Sequence, residues 1–323
     1  MSTGRPEQSA WLLADVGGTN ARVGLYHPGQ GAPRLLFARP TSDFDDLAGL
    51  LRAAIQTSPQ AHVRHAACAI ASPVEADDIA LTNAGWRFSI EQTRRRCELD
   101  TLEIINDWAA QGWAITRLGP TELAQRSDGV PAPMTPKLAL GPGTGLGSAL
   151  VVPADARWQV FATEGGHISF GPQTPREAAV VTHINPRFGH CSAERMASGK
   201  GLETIDAATA AIDERDGQPR DAYAIVADAK ADEPAARETL TLFTQALASA
   251  AGDLALATGA RGGVYIGGGL IPALGALFDW QAFHQRFIAK GRFGDYLNAI
   301  PVFSIEASQP ALAGLAAYVE QRS

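Results

Sequence analysis

Leu12-Leu13-Ala14-Asp15-Val16-Gly17-Gly18-Thr19-Asn20-Ala21-Arg22-Val23-Gly24-Leu25-Tyr26 sets a carboxylate and two glycines at a turn between two apolar runs. Short apolar runs separated by a glycine pair predict two strands joined by a tight reversal. Successive backbone N–H groups in such a turn form a concave anion site, and a residue without Cβ lets the chain come within hydrogen-bonding distance of a phosphate. An ordinary hairpin carries the same signature. Alone, such a segment more often marks a chain reversal than a phosphate contact.

Outward from this turn, strand and helix signals alternate along most of the chain, which predicts an α/β architecture. Residues 12–16, 22–27 and 34–38 read as three successive strands. A helix over 43–54 follows, capped by Ser42 or Asp43. Residues 65–71 read as a short buried strand, Thr82-Asn83-Ala84-Gly85-Trp86 as a turn, and 90–96 as a helix. The strand at 102–105 runs directly into Asn106-Asp107, and 108–117 continues as helix.

A second cycle then starts, with a strand at 137–140, the turn Gly141-Pro142-Gly143-Thr144-Gly145-Leu146-Gly147, and a return strand at 148–152. Apolar run, glycine turn with a Thr, apolar run: the order repeats residues 12–26, as expected of two halves built on one plan. Residues 235–258 carry Leu240, Phe243, Leu247 and Leu254 at helical spacing and read as a core helix stopped by Gly259. A strand at 263–266 leads into Gly267-Gly268-Gly269, with Pro272 near the start of the next helix. The last helix, 310–321, lies beyond the second cycle and is expected to pack back on the first.

Bulk properties narrow the function classes. At 323 residues the chain exceeds the size at which one core keeps growing, so two domains with a cleft between them are expected. Its 46% hydrophobic and 19% charged residues are those of a globular protein, and no uninterrupted apolar run approaches the roughly 20 residues that cross a bilayer. The start, MSTGRPEQSAW, lacks the apolar core of a secretory signal. Cys68, Cys97 and Cys191 are few and widely spaced, which argues against a disulfide framework and for a reducing cytoplasm.

A net charge of −7 disfavours nucleic acid and anionic lipid as partners. The one basic run, Arg94-Arg95-Arg96, reads as a solvated helix face beside Glu91 and Glu98. Phosphate, if bound, must be held mainly by backbone dipoles and a metal, which fits 33 glycines, about a tenth of the chain against a usual ~7%.

The three glycine turns exclude the commonest nucleotide motifs. No glycine run ends in Gly-Lys-Ser/Thr, and Leu146 stands where the dinucleotide fingerprint that would begin at Gly141 needs glycine. Separate loops of two domains remain as the phosphate clamp. Asn106-Asp107 sits at a strand end, where α/β proteins place ligand groups; a carboxylate there is equally a candidate general base and a helix cap. Glu164-Gly165-Gly166-His167 offers an acceptor and a donor/acceptor around two glycines, suited to adjacent hydroxyls. Glu194, in Ser192-Ala193-Glu194-Arg195-Met196-Ala197-Ser198-Gly199, reads by itself as a helix-surface charge.

The motifs together resemble the bacterial ATP-dependent glucokinases of the type without a zinc motif, members of the hexokinase, actin and Hsp70 superfamily. The resemblance rests on Ala14 to Asn20, Ser72-Pro73, Thr82-Asn83 with Trp86, Ile105-Asn106-Asp107 and Leu140 to Gly147. It continues through Glu164-Gly165-Gly166-His167, Glu194-Arg195 with Ser198-Gly199, Gly267 to Gly269, and Gly291-Arg292-Phe293 with Tyr296, all in order along the chain.

It implies a two-domain α/β fold of the actin-like ATPase (ribonuclease H-like) type with an inter-domain cleft. The small domain would be 1–117 plus 307–323 and the large domain 118–306. Asn106, Asp107, Glu164, His167 and Glu194 would bind D-glucose, with Asp107 the base for its 6-hydroxyl. Ala14, Asp15, Val16, Gly17, Gly18, Thr19, Gly143, Thr144, Gly145 and Gly268 would contact ATP. Asp15 suits Mg²⁺ held through water, because octahedral Mg²⁺ keeps waters and takes one or two carboxylates beside phosphate oxygens. A cytoplasmic homodimer acting at the first step of glycolysis follows from the same resemblance.

One departure separates the chain from the related repressor and sugar-kinase group. Phe188-Gly189-His190-Cys191-Ser192 holds a single cysteine where that group has a Cys-rich motif, so no structural zinc is expected. Two rival readings are a sugar sensor without catalysis, against which Asp107 and both phosphate turns argue, and a kinase for mannose, fructose or an amino sugar.

Overall fold

The computed structural model describes residues 9–81 and 84–322; Thr82 and Asn83 of the expected turn lie outside the described residues. Two units separate, one running to Glu122 and resuming at Ala307, the other Leu123–Glu306.

The first unit opens with β1 (Trp11–Val16), β2 (Asn20–Tyr26) and β3 (Arg34–Pro40), joined as an antiparallel meander. Then follow α1 (Leu47–Thr57), β4 (His65–Ile70), the antiparallel pair β5 (Asp78–Leu81) and β6 (Trp86–Ser89), α2 (Ile90–Arg96), β7 (Thr101–Asn106) and α3 (Asp107–Ala114). The five-stranded sheet has the order β3-β2-β1-β4-β7, with β1, β4 and β7 parallel.

Side-chain alternation explains why β1 is central. Leu12, Ala14 and Val16 point to one face, where they pack with Leu47, Leu50 and Leu51 of α1, while Leu13 points to the other. A strand covered on both faces reads as a nearly continuous apolar run, as this one does.

Two helix starts differ from expectation. Thr41–Asp43 forms a single 3-10 turn, so the helix expected from 43 begins at Leu47, and Asp46 is its cap, accepting the Gly49 N–H at 2.8 Å. The helix expected over 108–117 covers Asp107–Ala114, because Asn106 supplies the cap.

The second unit holds β8 (Leu123–Gln125), β9 (Lys137–Pro142), β10 (Leu146–Ala154) and β11 (Arg157–Thr163). Its helices are α4 (Pro175–Phe188), α5 (Ala193–Met196), α6 (Gly199–Ile212), α7 (Ala222–Lys230) and α8 (Pro234–Thr258). They are followed by β12 (Val264–Ile266), α9 (Leu270–Leu274), α10 (Trp280–Phe287), α11 (Gly294–Asn298) and β13 (Val302–Ile305). The sheet order is β11-β10-β9-β12-β13-β8. Its first five strands repeat the order of the first sheet, an antiparallel meander followed by two parallel additions.

The repeated plan expected from the two glycine turns is therefore present in the topology. The strands at Lys137–Pro142 and Leu146–Ala154 reach further than expected, which leaves Gly143-Thr144-Gly145 as the turn proper. Helix α8 is long and apolar enough to cross a membrane by length and composition. Here, however, Phe243, Leu247, Ala250 and Ala251 are buried in the second core. Gly259 ends it in the left-handed region at φ +63°.

The last helix, α12 (Pro310–Arg322), belongs to the first unit and fills the face to which Leu13 points, with Leu312, Leu315 and Ala316. It lies so close to α3 that a Cβ on Gly314 would stand 1.8 Å from the Ala110 carbonyl oxygen. Tyr318 donates to Glu103 at 2.9 Å, and Arg117 reaches Glu320 at 2.9 Å. Residues 118–122, expected in the large domain, stay with the first unit, since Ala307 donates its N–H to the Glu122 carbonyl at 3.2 Å.

Candidate active site

In open α/β sheets, ligand groups gather beyond the carboxyl ends of parallel strands. In the first sheet Val16 is aligned with Ile70, and Ile70 with Asn106. The turn Gly17-Gly18-Thr19, the residue Ser72 and the pair Asn106-Asp107 thus leave the sheet at one end.

The Gly17–Thr19 turn is clasped rather than loose. Gly17 N–H donates to the Asn20 carbonyl at 3.0 Å, Thr41 N–H to the Thr19 carbonyl at 2.9 Å, and Thr41 Oγ1 to the Gly17 carbonyl at 2.8 Å. The N–H groups of Gly18 and Thr19 have no acceptor among the described residues, as a phosphate-binding turn requires. Asp15 stands just before them. Burial raises its pKa above the ordinary 3.8, against the lowering effect of Arg22, whose Nη1 lies 3.4 Å from Oδ2.

Asn106 is the cap of α3. Asn106 Oδ1 accepts the N–H groups of Trp108 and Ala109 at 2.9 and 3.2 Å, and Nδ2 donates to the Ser72 carbonyl at 3.3 Å. With that cap in place, Asp107 occupies the first helical position, where Oδ1 accepts the Trp108 N–H at 2.9 Å.

The second group gathers around Leu146 at the start of β10. Gly143 N–H closes the turn on the Gly145 carbonyl at 2.8 Å, while the N–H groups of Thr144 and Gly145 have no acceptor among the described residues. Gly268 lies against the same strand end at φ +86°, where a Cβ would meet the Pro142 carbonyl oxygen at 2.4 Å; only glycine satisfies both conditions.

Glu164 and His167 flank a short 3-10 turn over Gly165–His167. A Cβ at Gly166 would lie 2.1 Å from the Leu146 carbonyl oxygen, and Gly165 donates to Ser148 Oγ at 3.0 Å. These two glycines press the turn onto β10. The side chains of Glu164 and His167 stay 77% and 60% exposed, with Nε2 and Oε2 3.7 Å apart, open to a polar ligand. Glu194, in the first turn of α5, places Oε2 2.9 Å from the Leu146 nitrogen and accepts its N–H. It is not a helix-surface charge.

The residues expected to form the site fall into two groups. Ala14 to Thr19 with Asn106 and Asp107 lie in the first unit, and Gly143 to Gly145, Glu164, His167, Glu194 and Gly268 in the second. Three residues that the sequence reading gave no role stand against these: Arg22 beside Asp15, Thr41 on the first turn and Ser148 under Gly165, while Gly199, quoted above only within a motif, donates its N–H to the Gly143 carbonyl at 2.9 Å. Arg22 stands opposite Asp15 in the β1–β2 pair.

A family profile described as Glucokinase matches residues 12–322. A glucokinase from Chromobacterium violaceum is 43% identical over 99% of this chain and 92% of its own length. The crystal structure of a glucokinase from an Antarctic psychrotroph superposes with a TM-score of 0.86 at 33% identity, covering 98% of this chain and 99% of that one. A Balamuthia mandrillaris glucokinase crystallised with glucose shares the fold at a TM-score of 0.79 and 19% identity, over 97% and 94% of the two chains.

Proposed function

The chain belongs to the glucokinase family and is an ATP-dependent sugar kinase that makes glucose 6-phosphate, and from that premise we propose how its residues divide the work. Asp107 is the general base. As the 6-hydroxyl oxygen bonds to the γ-phosphorus, its proton passes to the Asp107 carboxylate, the bond to the β,γ-bridging oxygen breaks, and ADP leaves with that electron pair. The single observation that carries this assignment is position: Asp107 opens α3 directly after the carboxyl end of β7, at the same end of the sheet as the Gly17–Thr19 turn.

Glu164, His167 and Glu194 contact the sugar with Asn106 and Asp107. A pyranose presents hydroxyls that both donate and accept, and carboxylates, an amide and an imidazole meet both needs. The open N–H groups of Gly18, Thr19, Thr144 and Gly145 take phosphate oxygens, which supplies charge stabilisation without a lysine bed. Asp15 fits Mg²⁺: it is a partly buried oxygen donor near the end of β1, beside the first phosphate turn. When bound, the metal supplies positive charge to the phosphates.

The actin-like, ribonuclease H-like classification belongs to this proposal and is supported by the repeated strand order of the two sheets. So do a cytoplasmic location, supported by three free buried cysteines, and a homodimer.

The test is ADP formation from ATP with and without glucose and Mg²⁺, repeated with mannose, fructose and glucosamine in competition. Turnover that needs both glucose and Mg²⁺, and that is inhibited only weakly by the other sugars, is expected. Preferential turnover of another hexose would reassign the acceptor, and sugar binding without turnover would make the chain a sensor.

A further inference from the structure

Glu194 is held in an arrangement that a sugar contact alone does not require. Its Oε2 accepts the Leu146 N–H at 2.9 Å, directly after the Gly143–Gly145 turn, and a Cβ on Gly145 would lie only 2.4 Å from that oxygen. On the other flank of the turn, Gly199 N–H donates to the Gly143 carbonyl at 2.9 Å. Both braces come from one stretch, Ser192 to Gly201, which is locked internally: Ser198 Oγ donates to the Glu194 carbonyl at 2.8 Å and accepts the Gly201 N–H at 2.9 Å.

We infer that Glu194 is a positioning residue for the nucleotide turn as well as a sugar ligand, and that its carboxylate couples the two substrates. One oxygen fixes the turn so that the Thr144 and Gly145 N–H groups converge on a phosphate; the other is left for the sugar. A sugar hydroxyl on that second oxygen fixes the side chain, which fixes the turn, so glucose tightens nucleotide binding and nucleotide tightens glucose binding by the same factor. The inference rests on the sugar-kinase reading and adds a link within it.

The experiment is calorimetric titration of the full chain with Mg·AMPPNP, with and without glucose, for wild type, Glu194→Ala, Glu194→Gln, Gly145→Ala and the double variant Gly145→Ala/Glu194→Ala. Loss of a partner for a buried N–H predicts roughly tenfold weaker AMPPNP binding by Glu194→Ala even without glucose. Glu194→Gln is expected to stay within about twofold, because its amide oxygen still accepts the Leu146 N–H, while its glucose affinity falls. Gly145→Ala should weaken AMPPNP binding and add little once Glu194 is gone, because the clash is with Glu194.

Wild-type AMPPNP affinity in Glu194→Ala, equal loss in Glu194→Gln, or full additivity in the double variant would each overturn the inference. If Glu194→Ala fails to fold, Glu194→Gln and Gly145→Ala decide: the first must keep AMPPNP and the second must lose it. A wild-type protein that binds AMPPNP but never turns over glucose would instead count against the sugar-kinase reading, so the two failures are separate.

Discussion

At the residue scale, Asp15 sets its proposed metal role against stability. Burial raises its folded-state pKa above the unfolded 3.8, so folding favours the protonated form, and holding the ionised carboxylate at neutral pH costs stability. The contribution is most favourable below 3.8 and is lost as pH rises through the folded-state value. Asp15→Asn is therefore expected to raise Tm at pH 7, to lose that advantage as the pH is lowered toward 4, and to cost most of the Mg²⁺-dependent turnover. Thermal melts at both pH values with a parallel ADP assay check this; a lower Tm at pH 7 would mean that the pairing with Arg22 outweighs burial. The carboxylate itself was legible in the sequence, since it precedes two glycines. Its partner Arg22 and the clasp from Thr41 were not, because a cross-strand pair and a contact between residues 17 and 41 depend on register and tertiary packing.

Among the elements, close approach does the positioning. The Gly165–His167 turn reaches its place only because Gly166 has no Cβ to meet the Leu146 carbonyl oxygen 2.1 Å away. Gly166→Ala must push the turn outward, and with it Glu164 and His167. It is expected to cost about 1–3 kcal/mol of stability and to raise the KM for glucose more than that for ATP. An unchanged glucose KM would mean that these two side chains do not bind the sugar. The glycines drew notice in the sequence as flexible neighbours of two polar groups, whereas their work is to permit contact. Element types were readable from alternation and helical spacing, as in β1, α2 and α8. The starts of α1 and α3 were not, because several residues compete for each cap, and the bonds that Asp46 accepts from Gly49 and Asn106 from Ala109 decide between them.

On the scale of the whole molecule, one plan is used twice. Each unit has a three-stranded meander whose first turn is rich in glycine and bears a Thr, and each adds two parallel strands whose carboxyl ends carry further residues of the proposed site. That repeat was visible in the sequence as two similar glycine turns far apart, while the return of α12 to the first unit was foreshadowed only by its place after the second cycle. On the proposed reading, each unit contributes one phosphate turn and the first unit contributes the base. Asp107→Ala, measured for steady-state ADP formation and for glucose affinity by calorimetry, tests this account most directly. Loss of kcat on the order of 10²- to 10⁴-fold with glucose binding retained is expected; near wild-type turnover would remove Asp107 from the base role and contradict the account.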